Sequence, residues 1–470
     1  MSAASLPVVG PAPPLWLVVP FVALLAMIAT GPLFYARFWH HHYPKVAVGL
    51  GALVAAYYLG TGNATPVLHA VEEYASFIAL LVALFVASGS ILIRTDFAGT
   101  PRANTALLFV GAVLANLMGT TGASMLLVRP FMRLNVGRLK PYHVVFFIFV
   151  VSNVGGSLTP IGDPPLFLGF LRGVPFFWTL EHIWYIWLPT VVALLAVFYA
   201  VDRRNTAESR QERAAALGDD DVEPGEYADD VEAVHTRRHV AIDGWGGFGW
   251  IALTVALVFV DPNVIAGVPD LHALGVPVGL REILMLATAG LAFKTANPVA
   301  LAGNHFSFDP IKEVAWLFVG IFLTMQPALE IIRLAAAGNA GALGVSTFYF
   351  GTGALSGVLD NAPTYVAFLS AAMGKFGLDV NAPADVAAFA ADAAGGHYLL
   401  AISVASVFWG AMTYIGNGPN FMVKAIAESA GAETPSFVTY VVRYSLPVLL
   451  PLYLAVWLVF FSGWVVPHPM

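Results

Sequence analysis

The sequence predicts an all-α polytopic membrane protein with about ten transmembrane helices and two re-entrant hairpins, arranged in two inverted-topology repeats. Three observations predict this fold class: the composition, the number of long apolar segments and a motif that occurs twice. Hydrophobic residues make up 58% of the 470 residues and charged residues 11%, whereas a soluble domain carries about 25% charged residues. The apolar runs do not alternate with polar residues, which favours helices over a transmembrane barrel.

A stretch of about 20 apolar residues is long enough to cross the hydrocarbon core of a bilayer. Ten segments come close to that length and are interpreted as crossings, five in each half of the chain. In chain order they cover 14–35, 45–60, 73–93, 143–170, 183–201, 245–261, 280–297, 313–333, 398–425 and 445–466.

Two further apolar segments, 104–134 and 345–374, contain small and polar residues near their middle. The first is interrupted at Gly119–Gly122 and the second at Asp360–Pro363. A helix that breaks at membrane depth must satisfy its free backbone groups within the protein. Each segment is therefore predicted to be a helical hairpin that enters and leaves the membrane on one side.

The distribution of basic residues predicts the orientation. With these crossings, 18 of the 22 Lys and Arg residues fall on one side, and such residues are enriched in cytoplasmic loops. We therefore expect an integral protein of a bacterial inner membrane with both termini outside. The first repeat covers 1–201 and the second 245–470. The charged stretch 202–244 between them is predicted to be a cytoplasmic linker, acting mainly as a tether.

A polar motif occurs at the matching place in each half. Thr159-Pro-Ile-Gly-Asp-Pro-Pro-Leu-Phe167 recurs 254 residues later as Thr413-Tyr-Ile-Gly-Asn-Gly-Pro-Asn-Phe421. The hairpin tips show the same relation, because Thr120–Ser124 precedes Asp360–Thr364 by 240 residues. Interrupted helices at corresponding places in two halves indicate the binding site of a transporter.

The chemistry of these segments predicts a cation site. Their hydroxyl, amide, carbonyl and carboxylate oxygens suit a hard cation such as Na⁺, and the tips contain no His or Cys that would favour a softer metal. Asp163 and Asp360 are the strongest candidates, because an intramembrane carboxylate is costly and usually functional. One carboxylate that holds either a proton or Na⁺ would give exchange. In the alternative interpretation, Asp163 caps the half-helix that starts at Pro164 and Asp360 bonds to the backbone of its own turn.

Three segments, Ser152–Pro165, Asp360–Thr364 and Ile415–Asn420, resemble the ion transporter superfamily, and within it the NhaD-type Na⁺/H⁺ antiporters and the related citrate transporters. The resemblance implies one cation site per repeat, an elevator-like movement against a scaffold, and a homodimer. Carried over by position, it implies a first site formed by Thr121, Ser124, Asn153, Thr159 and Asp163. It implies a second site formed by Asp360, Asn361, Thr364, Thr413, Asn417 and Asn420.

One position departs from the family pattern. The antiporters have an Asp-Asn pair at the tip of the first hairpin, where this chain has Thr120-Thr121. The usual proton-to-cation stoichiometry is therefore not carried over.

We predict a secondary active transporter, with Na⁺(Li⁺)/H⁺ antiport as the first hypothesis. Cation-coupled carriage of citrate or a dicarboxylate is the alternative, with an arsenite-type exporter as a third option. An organic anion usually requires Arg or Lys partners, and the four motifs contain none. An intramembrane enzyme is disfavoured, since no helix shows a nucleophile–base or metal-ligand motif. The expected partners are the lipid bilayer and the transported ions, with no cofactor and no nucleic acid.

Overall fold

The computed structural model describes residues 12–95, 99–216, 240–262, 265, 267–269, 271, 276 and 278–465. Most of the predicted linker, residues 217–239, lies outside this part of the chain. In the first half, a 3₁₀ turn at Leu15–Leu17 leads into a series of helices and one short strand. These are α1 (Val18–Phe34), α2 (Ala36–Gly60), α3 (Thr65–Gly89), β1 (Leu92–Thr95), α4 (Pro101–Leu134), α5 (Pro141–Val150), α6 (Pro164–Leu171) and α7 (Trp178–Ala216).

The second half begins with a strand and continues almost entirely in helices. Its elements are β2 (Val240–Asp243), α8 (Gly246–Leu257), α9 (Leu280–Thr295), α10 (Pro298–Gly303), α11 (Asp309–Gly338), α12 (Val345–Ser356), α13 (Asn361–Lys375), α14 (Pro383–Ala391), α15 (Ala393–Trp409), α16 (Gly418–Ser429), α17 (Phe437–Thr439) and α18 (Leu450–Phe460). A π-helical stretch, Tyr440–Leu449, joins the last two.

The predicted fold class, an all-α polytopic membrane protein, is confirmed. By length and composition, seven helical segments in the described part of the chain are long and apolar enough to cross a membrane. A single hydrophobic core cluster includes buried residues from both halves, and α11 packs against α2, α3 and α13. The seven segments are Leu15–Phe34, Thr65–Gly89, Pro101–Leu134, Trp178–Thr206, Asp309–Gly338, Ala393–Met412 and Phe437–Phe460.

The structure contains a two-stranded sheet that the sequence analysis did not predict. Strand β1 pairs antiparallel with β2, with Leu92 opposite Asp243, and Arg94 forms an ion pair with Asp243. The predicted helix 73–93 therefore ends at Gly89, and the predicted linker 202–244 is partly structured, since α7 continues to Ala216 and β2 covers its end. Both strands are short and carry β-branched residues, which suit a pleated surface.

Each predicted hairpin breaks at its middle. Gly119, inside α4, has a φ of 77°, which L side chains rarely adopt. Gly111 and Leu127, eight residues on either side, lie side by side, because a Cβ on Gly111 would be 3.2 Å from Leu127 Cδ1. In the second hairpin, a Cβ on Gly351 in α12 would be 2.9 Å from Phe368 in α13. Residues on opposite sides of each break therefore meet, so the arms fold back on each other.

Two predicted crossings, 143–170 and 398–425, are broken helices. The first consists of α5, a 3₁₀ turn at Val154–Ser157 and α6, and the second of α15, a 3₁₀ turn at Gly410–Met412 and α16. Helices α6 and α16 begin 254 residues apart, the same spacing as the sequence motif. Both breaks therefore occur at the same place in the repeated sequence.

At each break, two glycines bring their backbone segments into close contact. A Cβ on Gly162 would lie 2.1 Å from the carbonyl oxygen of Gly156, and a Cβ on Gly416 would lie 2.5 Å from that of Gly410. The two pairs are again 254 residues apart. Glycine is required here because the two backbone segments approach too closely for a side chain.

A buried polar cluster ties the base of the first hairpin to α5 and α7. The Asp202 side chain is fully buried and accepts hydrogen bonds from Arg138, from Tyr142 at 2.6 Å and from Asn104 at 2.9 Å. His143 Nε2 lies 3.1 Å from the same carboxylate. Because these residues come from three elements, Asp202 determines how they sit against each other.

We expect Gly416→Ala to destabilise the protein by about 1–3 kcal/mol or more. The new Cβ would also lie 2.7 Å from the carbonyl oxygen of Ser356, and backbone atoms cannot move aside as a flexible side chain can. Gly418→Ala is the matched control, because nothing lies within 4 Å of a Cβ there. The unfolding temperature in detergent measures the effect. Equal temperatures for the two variants would contradict the role of the glycine pair.

Asp202→Ala should destabilise the fold by about 3–5 kcal/mol, because it leaves Arg138 without its buried counter-charge. The control is Asp309→Asn, which removes a carboxylate whose side chain is 80% exposed and pairs with Lys312; exposed pairs contribute little. Thermal unfolding, monitored by circular dichroism, compares the stability of the two variants. If both variants unfold like the parent protein, the cluster does not hold the three elements together.

Candidate functional site

The carboxylate of Asp163 lies where both hairpin tips and both broken crossings meet. Its side chain is only 1% exposed. Oδ1 accepts hydrogen bonds from Thr120 Oγ1 at 2.7 Å and from Asn417 Nδ2 at 2.9 Å, and Oδ2 accepts one from Asn361 Nδ2 at 2.6 Å. The three donors come from the tip of the first hairpin, the second broken crossing and the tip of the second hairpin. Asp163 therefore joins the two halves of the protein.

All three donors to Asp163 are electrically neutral. No Lys, Arg or His in the described part of the chain forms an ion pair with it. Buried charges in proteins are normally paired or bound to a metal ion. An ionised Asp163 therefore lacks a positive partner among the described side chains.

A chain of asparagine side chains extends from Asp163. Asn417 Nδ2 also donates to Asn153 Oδ1 at 3.2 Å, and Asn153 Nδ2 donates to Asn420 Oδ1 at 2.6 Å. Asn420 Nδ2 in turn donates to the carbonyl oxygens of Gly410 and Thr413 at 2.8 and 2.9 Å. These bonds tie the first break to the second, so that the two unwound segments form one polar centre.

One buried oxygen at this centre has no partner. Asn361 is fully buried, and its Oδ1 has no hydrogen-bond donor among the described residues. Its Nδ2 is held by Asp163, which fixes the direction of the amide. Leaving a buried acceptor unsatisfied costs free energy, so this oxygen is available to a ligand.

The threonines of the repeated motif fasten each break to its hairpin. Thr159 Oγ1 donates to the carbonyl oxygen of Asn116 at 2.6 Å, and Thr413 Oγ1 donates to that of Gly357 at 2.7 Å. Each acceptor lies in the hairpin of the same half, just before its tip. These two hydroxyls therefore act on the backbone and do not contact Asp163.

Asp360 differs from Asp163 in its surroundings. It caps α13, with its side chain accepting from Ala362 N at 3.0 Å, and Thr364 Oγ1 donates to its carbonyl oxygen at 2.8 Å. The alternative interpretation, a carboxylate bonded to its own turn, therefore describes Asp360. It does not describe Asp163, which begins α6 without a side-chain cap bond.

The structure does not separate the eleven candidate residues into the two predicted clusters. One connected network contains Asp163, Asn153, Asn361, Asn417 and Asn420. The side chains of the remaining candidates make other contacts: Asp360 and Thr364 in their own turn, Thr159 and Thr413 at hairpin carbonyls, Ser124 bonded to Ser152 at 2.8 Å, and Thr121 on a cavity wall. Thr413 joins the network only through its backbone carbonyl, which accepts from Asn420.

Sequence reasoning missed Thr120 as a site residue, although it supplies one of the three bonds to Asp163. Thr120 precedes Asp360 by 240 residues, the spacing that relates the two hairpin tips. That spacing was the available signal. It identified the tip but not which of the two adjacent threonines turns inward.

A small cavity lies beside Asp163. Its volume is about 40 Å³, above the roughly 10–15 Å³ that one water-sized ligand needs and far below the roughly 300 Å³ of an organic-ligand pocket. Polar atoms come from the hairpin tip, and helix α3 supplies an apolar wall. The lining includes Gly119, Thr120, Thr121, Gly122, Asp163, Phe77, Leu84 and Phe85.

Comparisons with known proteins agree with a transport function. A family profile described as "Putative citrate transport" matches residues 11–461, nearly the whole chain. The chain is also similar to uncharacterized transporters of Mycobacterium bovis and of Mycobacterium tuberculosis. Each is 25% identical over 341 residues, which cover 71% of this chain and 71% of the relative. The chain is therefore a membrane transporter that belongs to the "Putative citrate transport" family.

Proposed function

We propose that this secondary transporter exchanges Na⁺ or Li⁺ for H⁺, with Asp163 as the group that holds either cation. The observation that carries the proposal is a buried carboxylate surrounded by three neutral donors and by no described positive side chain. An ionised carboxylate in such a place is unfavourable unless a cation compensates it. A proton and Na⁺ each do so, and they compete for the same oxygens.

The atoms around Asp163 suit a hard monovalent cation. Carboxylate, amide, hydroxyl and carbonyl oxygens are the ligands that such ions prefer, and Asn361 Oδ1 is free to join them. In the described part of the chain, no group of three or more His, Cys, Asp or Glu side chains could hold a metal ion. The small cavity beside Asp163 also fits a bare ion better than an organic substrate.

Asp360 has a different role from Asp163 in this proposal. Its carboxylate accepts a hydrogen bond from the backbone of its own turn and has no described bond to the other half of the protein, whereas Asp163 joins the two halves. With Thr364 on the same turn, Asp360 would form a second, weaker cation position. Its loss should reduce transport less than the loss of Asp163.

Carriage of a carboxylate coupled to Na⁺ is the second candidate, and the family description favours it. The Asp163 centre would then bind the coupling ion. The narrow cavity would have to widen before a tricarboxylate could enter. The two functions differ in one requirement, because antiport needs no organic anion.

Asp163→Asn should lower the initial rate of Na⁺-driven proton release by at least about tenfold, since an amide cannot exchange a proton for Na⁺. The assay uses proteoliposomes with a trapped pH dye, to which Na⁺, Li⁺, K⁺ and then citrate are added. Asp309→Asn, the same change at an exposed carboxylate, is the control, and Asp360→Asn should fall between the two.

An unchanged rate of Na⁺-driven proton release in folded Asp163→Asn protein would contradict the proposal. A dye response that requires citrate in the parent protein would instead establish carboxylate carriage, with Na⁺ as the coupling ion. Size-exclusion profiles of all variants verify that they are folded.

A further inference from the structure

The second arm of the first hairpin, residues 120–134 of α4, carries a positive charge that no described protein group neutralises. Arg129 forms no ion pair or hydrogen bond with a described residue, and its Nη1 atom is buried without an acceptor. A guanidinium carries five N–H donors, and burying one without a partner is unfavourable. Arg129 is half-buried, so an acceptor from outside the chain can reach its guanidinium and pair with it.

Most of this arm lies inside the protein, although Arg129 is half-buried and Arg133 near its end is exposed. The first arm of the same hairpin exposes apolar side chains, as expected of a helix in contact with hydrocarbon, whereas the apolar residues next to Arg129 in the second arm are buried. The exposed residues of the first arm are Phe109, Val110, Val113 and Leu117, and the buried residues of the second are Met125, Leu126, Leu127, Val128, Pro130, Phe131 and Met132. Anchoring to lipid headgroups therefore explains Arg129 poorly.

Arg129 lies on the face of the hairpin that leads to the Asp163 centre. Residues spaced by three, four or seven positions share one face of a helix, so Gly122, Met125 and Arg129 form one row. Gly122 lines the cavity beside Asp163. Arg129 is nine residues from Thr120, or about 13 Å at the helical rise of 1.5 Å per residue.

An apolar cluster lies between the cavity and Arg129. It contains Met125, which packs with Phe85 and Ile311. A substrate that reached the cavity from the base of the hairpin would therefore meet the guanidinium first and the apolar cluster second.

A second positive charge accompanies Arg129. Arg133 follows one turn later on the same face and is exposed. Like charges four residues apart on a helix destabilise each other, and an anion bound between them would relieve this repulsion. The motifs around Asp163 lack Lys and Arg, so this pair supplies the positive partner that an anionic substrate would need.

We propose that Arg129 binds a carboxylate group of a di- or tricarboxylate substrate, with Arg133 as an outer attracting charge. The planar guanidinium matches a carboxylate with two parallel hydrogen bonds. The phosphate of a lipid headgroup offers the same oxyanion chemistry, and the experiment distinguishes the two sources. This inference goes beyond cation exchange at Asp163 and holds or fails separately from it.

The test measures citrate binding to the full-length protein by isothermal titration calorimetry, in nanodiscs of phosphatidylcholine alone and at constant Na⁺. We expect the parent protein to bind citrate and Arg129→Gln to weaken binding by about tenfold or more. Arg129→Lys should lie between them, because it keeps the charge and loses the planar fork. Arg102→Gln is the control, as it removes an exposed arginine from the other arm and should leave binding within about twofold.

A second arm of the experiment tests the lipid source. The unfolding temperature is compared in discs with and without phosphatidylglycerol, in the absence of citrate. Stabilisation by this lipid that requires Arg129, without citrate binding, would overturn the proposal in favour of a headgroup contact. Equal citrate binding by the parent protein and Arg129→Gln, or no citrate binding by the parent protein, would also overturn it.

Proton flux separates this proposal from the first one. Arg129→Gln should retain the parent rate of Na⁺-driven proton release without citrate, because Arg129 does not touch Asp163. The retained rate also shows that the variant is folded. A rate as low as that of Asp163→Asn would contradict a role confined to the anion.

Discussion

The compensation of the buried charge on Asp163 is the constraint on which the centre of this structure depends. The carboxylate is held by Thr120, Asn361 and Asn417, which come from three separate elements. Each donor is neutral, so the bonds fix the position of the carboxylate without neutralising its charge. In the proposed function, a proton or Na⁺ neutralises it. A Lys or Arg in place of one donor would neutralise the site permanently and leave no reason for an ion to bind.

Two equivalent breaks make this arrangement possible. The glycine pairs let backbone segments approach closely at Gly156 and Gly162 and again at Gly410 and Gly416. Each break exposes carbonyl and amide groups that lipid cannot satisfy. The asparagine chain satisfies some of them and joins the two halves, while each motif threonine bonds the hairpin of its own half. The polar centre therefore depends on both halves being present.

Local signals in the sequence predicted the positions of the breaks but not the partners across them. Gly119 and the Gly-Asp-Pro-Pro run at Asp163 identify places where a helix cannot continue, so both hairpins and both unwound crossings could be placed. The bond between Asn153 and Asn420 joins residues 267 apart, and no local pattern specifies such a pairing. For the same reason Asp360, which resembles Asp163 in the sequence, could not be distinguished as a cap. The β1–β2 pair, whose strands are separated by four helices and the linker, was not predicted either.

The measurement that tests the central claim most directly is proton release from purified protein in weakly buffered detergent solution as Na⁺ is added. The account predicts a release that saturates with Na⁺, as one cation displaces the other from Asp163, and that is absent in Asp163→Asn. Na⁺ binding without proton release, or an equal release from the variant, would contradict the claim that Asp163 holds both cations in turn.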